Sequence, residues 1–134
     1  MRASETTSAR AHEVLERAYK ASIRVPAEEQ ASFLQLTLGS RLAAACLGLK
    51  DTRTLSSWAA GGTIRPEHGE HRLQVLFRVT TAINEAFGPS VAAAFLRGSN
   101  PVLGDQSPMI VLADSLPHDS ETRVIAAVEA LLTA

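Results

Sequence analysis

The sequence predicts an all-α fold, and three observations carry that expectation. Apolar residues recur at spacings of three and four over most of the chain, as one face of a helix requires. No segment alternates apolar and polar residues with the period of two that a half-buried strand needs. The hydrophobic fraction is 46%, yet aromatics are only 4% and much of the remainder is alanine, which favours closely packed helices over a β-sandwich. With 134 residues the chain fits one domain, or two very small ones sharing an element.

The elements follow in order. Residues 1–8 are polar and are expected to be mobile. From Ala9 to Arg24 the positions Ala11, Val14, Leu15, Ala18, Tyr19 and Ser22 form one helical face, backed by Arg10, Glu13, Glu16, Arg17 and Lys20. Val25-Pro26 stops this helix. Pro26 suits the first turn of the next, with Glu28 and Glu29 at its positive end. Two short helices then flank a tight turn. Leu42, Ala45, Leu49, Leu55 and Trp58 are spaced to close a small core between them. Gly48 is placed as a left-handed C-terminal cap, Asp51 as the N-cap of the second helix, and Gly61-Gly62 as its end.

Residues 67–87 form the longest helix candidate. One apolar stripe is Leu73, Leu76, Phe77, Thr80, Ile83 and Phe87; a second is Val75, Val79, Ala82 and Ala86. A helix apolar over more than half its circumference is buried on two sides. One stripe is expected to pack on the short helix pair and the other on the C-terminal part, with exposure to a partner chain as the alternative use of the second. Gly88-Pro89-Ser90 breaks the rod and opens a helix that Gly98 ends. A turn-rich loop follows, Ser107-Pro108 starts a short helix, and Asp119 or Ser120 can cap the last one, whose face is Val124, Ile125, Val128, Leu131 and Leu132. The expected organisation is thus a mobile 1–8, a helical region 9–66, a shared central helix 67–87 and a helical domain 88–134.

Two short helices with a buried aromatic and a hydroxyl-rich outer face follow the plan of a helix-turn-helix, whose second helix enters the major groove. Arg53 is the one cation within residues 52–60 and the candidate for a bidentate guanine contact. Thr52, Ser56 and Ser57 are candidate phosphate donors, and Arg41, Lys50 and Arg65 flank them electrostatically. A solvated surface arginine paired with Asp51 is the alternative for Arg53. The net charge of −1 is not that of a dedicated nucleic-acid binder. It is, however, unevenly spread. Residues 37–78 carry Arg41, Lys50, Arg53, Arg65, Arg72 and Arg78 against Asp51, Glu67 and Glu70, a net +3. Residues 79–134 carry Arg97 and Arg123 against Glu85, Asp105, Asp114, Asp119, Glu121 and Glu129, a net −4. Opposite signs point to two surfaces with different partners.

For catalysis there is no nucleophile elbow, phosphate-cradling glycine loop or paired-acid spacing. No enzyme activity and no cofactor are expected. His68 and His71 stand three apart, but Cys46 and the other histidines offer no matching ligand spacing, so no metal site is expected and the pair reads as a solvated first turn. Cys46 is the sole cysteine, which suits a reducing compartment and a small core residue. The polar start, MRASETTSAR, carries no signal-peptide pattern, and no apolar run approaches the roughly 20 residues that span a bilayer. A cytoplasmic location away from membranes is the expectation.

The stretch from Ala94 to Asp114, AFLRGSNPVLGDQSPMIVLAD, resembles the C-terminal toxin-binding domain of the Xre/MbcA/ParS family of antitoxins. Asn100, Pro101, Leu103, Gly104, Pro108 and Leu112 match its signature in order, Phe95 stands where tryptophan is usual, and Gly104 comes one residue early. Upstream, Trp58, Gly61, Pro66 and Arg72-Leu73 are similar to the family's Xre-type half, although one extra residue separates Gly48 from Trp58. The resemblance spans about Leu38 to Leu132. It implies an Xre-like helix-turn-helix half, joined by the central helix to a small toxin-binding half. It also implies a type II antitoxin that occludes a RES-type, NAD-consuming toxin, represses its own operon at operator DNA and self-associates as a homodimer. Candidate toxin contacts are Arg97, Asn100, Leu103, Asp105, Met109 and Leu112. The alternative is a stand-alone transcriptional regulator whose C-terminal half only dimerises.

Overall fold

The computed structural model describes residues 2–65, 69–114 and 117–134. It is all-helical, with no strand among the described residues. The helices are α1 (Arg2–Arg24), α2 (Ala27–Leu38), α3 (Ser40–Cys46), α4 (Thr52–Ala59), α5 (Gly69–Phe87), α6 (Pro89–Arg97), α7 (Pro108–Asp114) and α8 (Pro117–Leu132), with a 3₁₀ turn at Pro101–Leu103. The first helix begins at Arg2, seven residues before the apolar pattern starts, so the segment expected to be mobile has helical backbone from residue 2 onward.

Both stripes of α5 are used inside the chain. Leu73, Leu76, Phe77, Thr80 and Ile83 are buried on one, and Val75, Val79 and Ala82 on the other; only Ala86 and Phe87, at the last turn, reach solvent. No free apolar stripe on α5 is left for a second copy, which corrects the alternative use of that face. Its principal neighbours are α1, α2, α6 and α8. This corrects the expectation that one stripe packs on the short helix pair, α3 and α4. Helix α2 stands between, touching α3, α4 and α5 in turn. The result is one continuous core from Leu15 on α1 to Val128 on α8, not two cores joined by a strut. Phe33 of α2 meets Phe77 of α5 edge to face, ring centres 5.3 Å apart, an arrangement the aromatic quadrupole favours.

The short helices end where their glycines dictate. Gly48 lies at φ +69°, its N–H bonding to Ala45 O and that of Leu49 to Ala44 O, which closes α3 with a Schellman motif. A Cβ there would also sit 3.3 Å from the Ala113 carbonyl, so the turn packs against the end of α7. Helix α4 ends the same way: Gly61 at φ +91° bonds Trp58 O and Gly62 bonds Ser57 O. Asp51 caps its start, accepting from Arg53 N at 2.9 Å. Of the residues expected to join α3 and α4, Leu42, Leu55 and Trp58 are buried, whereas Leu49 and Ala45 are half-buried; Ala44 takes the inward place instead of Ala45.

A polar contact fixes the α1–α2 corner. Gln30, 1% exposed, donates through Nε2 to the carbonyls of Ser22 at 2.8 Å and Val25 at 2.9 Å. These lie in the last turn of α1 and just past it, where carbonyls lack helical partners. Arg72 of α5 plays a related part at the end of α7, donating to the Leu112 carbonyl and to that of Ala113 at 3.2 Å.

Two stability changes follow. Trp58→Ala leaves a cavity under the loop after α4 and is expected to cost about 3–5 kcal/mol in urea unfolding. An unchanged midpoint would contradict the packing. Gln30→Ala removes both donors from a buried site and is expected to cost about 1–3 kcal/mol, with loss of amide protection at the end of α1. Protection unchanged there would show that the corner is held by something else.

Candidate nucleic-acid and protein interfaces

The face predicted to meet DNA is built on α4 and its flanks. Arg53 projects from the first turn with its side chain 91% exposed, its guanidinium Nη2 resting 3.4 Å from Asp51 Oδ2. So exposed a pair is worth little, and the guanidinium is free to leave it for a stronger acceptor. Asp51 is held below the usual carboxylate range chiefly by the Arg53 backbone N–H and also by the Arg53 charge. A depressed carboxyl stabilises the fold above its ordinary pKa and loses that contribution as pH falls through its folded value. The cap of α4 is therefore intact at neutral pH and fails only in acid.

Ser57, Arg41, Lys50 and Arg65 are exposed, as a phosphate-facing role requires. Thr52 is half-buried. Ser56 is exposed, but its Oγ accepts from Gln35 Nε2 at 3.1 Å, which ties α4 to α2. Arg65 shares a groove beside Trp58 with Thr54 and Thr63. Cys46 is buried, and burial pushes its thiol up to about 12, so it is a core group and not a nucleophile.

The second face lies between α6 and α7. Asn100 organises it. Its side-chain oxygen accepts from Val102 N at 3.0 Å, its carbonyl from Leu103 N and Asp105 N at 2.9 Å each, and its own N–H donates to Gln106 O at 3.0 Å. Four bonds from one residue wind the loop into a compact knot. Ser107 caps α7, its Oγ accepting from Ile110 N at 3.2 Å. Asn100 is thus an architect of the loop, with half-buried surface of its own. Leu103 and Leu112 correct the expectation: at 1% and 4% exposed they are core residues that a partner docking on the folded surface does not reach. They point inward because the 3₁₀ turn packs on α8 and α7 packs on α3. Arg97 and Asp105 are exposed and Met109 is half-buried.

The sequence reading missed Val102 and Ile110, exposed at 49% and 42% in the places that the buried neighbours leave outward. The signal available was the helical offset: Ile110 is two residues from Leu112, about 200° around α7, so burying one exposes the other. His68 lies outside the described residues. His71 is half-buried, not solvated, and its ring meets that of His118 at a tilt, centres 4.9 Å apart.

Comparison with known proteins adds no family: no protein-family model, curated protein or solved structure matches this chain. No helix among the described residues is long and apolar enough to cross a membrane.

Proposed function

We propose that the chain is a type II antitoxin: a binding protein that covers a cognate toxin of the RES type with its α6–α7 face and represses its own operon through α4. The observation that carries this reading is the Asn100 knot. It holds Val102 and Asp105 outward on a loop whose backbone is already bonded, and Ile110 is exposed on the first turn of α7 that follows. A prefolded loop loses little entropy on binding, and two apolar side chains beside an acid suit a partner with an apolar recess rimmed by positive charge. The net negative charge of the C-terminal half favours the same partner. The match of Asn100, Pro101, Gly104 and Pro108 to the toxin-binding signature supports this choice of partner. The exposed Arg53, hydroxyl-bearing α4 face and flanking Arg41, Lys50 and Arg65 support operator binding.

Co-expression with the product of the adjacent gene tests the antitoxin reading. The two proteins are expected to copurify and the toxin to lose its effect on growth. Val102→Asp with Ile110→Asp should abolish rescue while leaving the melting temperature nearly unchanged, because both side chains face solvent. Equal rescue by the double variant, or an adjacent product harmless when expressed alone, would overturn the reading.

Operator binding has its own test. Arg53→Ala is expected to cost roughly 1–3 kcal/mol of discrimination between the operator and scrambled DNA. Unchanged discrimination in gel shifts would remove Arg53 from the recognition role.

A further inference from the structure

Folding brings together three potential metal ligands that lie far apart in the chain. His71 stands on the first turns of α5, and His118 and Glu121 on the first turns of α8. His118 and Glu121 are three residues apart, so both lie on one face of α8, and the His118 ring is 4.9 Å from that of His71. Their ligand atoms and that of His71 all lie within 4.8 Å of one another. His71 Nε2 is 3.7 Å from Glu121 Oε1, beyond hydrogen-bond reach. That nitrogen is shielded from solvent and makes no hydrogen bond among the described residues. A buried polar nitrogen without a partner calls for an explanation, and a bound cation is one.

The geometry points to a site for a zinc-class divalent ion held by His71, His118 and Glu121. Two imidazoles and one carboxylate form a borderline donor set suited to zinc and its neighbours, whereas magnesium and calcium prefer oxygen throughout. Zinc bonds these groups at about 2.0–2.2 Å, which places tetrahedral ligands about 3.4 Å apart. The His71–Glu121 distance is close to that already, and His118 is exposed and free to turn inward. Three protein ligands leave a fourth position for water or a partner's side chain. Glu121 Oε2 faces Arg78 Nη1 at 3.7 Å. This contact orients the carboxylate so that Oε1 is left for the metal. The charge of Arg78, whose guanidinium also lies over the Tyr19 ring at 5.0 Å, opposes the cation and weakens its binding. An ion here would pin the first turn of α8 to α5.

The test uses the untagged full chain. Zinc is titrated against a chromophoric chelator, and cobalt is added separately to read visible ligand-field bands. One zinc per chain is expected, with cobalt bands of a low-coordinate nitrogen and oxygen site and a melting temperature raised by zinc. His118→Ala and Glu121→Gln, both at positions with solvent access, should each weaken zinc binding at least tenfold and remove the thermal shift. His12→Ala, on α1 beside Glu16, should change neither. Absence of stoichiometric zinc binding, or affinity unaltered in His118→Ala, would overturn the assignment.

Discussion

Enclosure of α5 on both flanks is the constraint on which the rest of the structure depends. Eight of its residues are buried, and they are drawn from two stripes, not one. Among them Leu73, Val75, Leu76, Phe77, Val79 and Ile83 each contribute roughly 1.5–3 kcal/mol when taken from water. No isolated helical pair could satisfy both stripes. The chain must therefore set α1, α2, α6 and α8 around it. Surface ion pairs such as Arg17–Glu85, 2.6 Å long but exposed at both ends, decorate this arrangement without determining it.

Two consequences bear on function. The polar α4 face and the α6–α7 face rest on a shared core, since α3 touches α4 on one side and α7 on another. The close approach of Gly48 to the Ala113 carbonyl and the Arg72 bonds to Leu112 and Ala113 lie between them. Under the proposed function, partner contact would fall to residues left over from the core. Leu103 and Leu112 are consumed by packing, and Val102 and Ile110 remain.

Much of the fold was legible because helix ends are written locally. Gly48, Asp51, Gly61-Gly62, Pro89 and Ser107 each impose a backbone or capping requirement that few residue types meet, and each starts or ends an element where the sequence predicts. The double stripe of α5 was equally plain, being a matter of period alone. What could not be read was anything that depends on which helix lies opposite. The Gln30 contact with the end of α1 looks like any polar residue on a helix. The interposition of α2 between α4 and α5 follows from tertiary packing, not from spacing. Signature residues are not all contacts: Asn100 winds the loop, and Leu103 and Leu112 pack into the core. His71, His118 and Glu121 show the same limit: ligand spacing along a chain says nothing about residues 47 positions apart that two helices bring together.

Native-state amide hydrogen exchange in rising urea tests the central claim most directly, since it asks whether the chain is one unit built around α5. The account predicts that amides in α5, α3 and α7–α8 converge on a single opening free energy, that of global unfolding. If α6–α8 opened as a separate unit well below α5, the shared core would be refuted, and the two faces would have to be treated as independent modules.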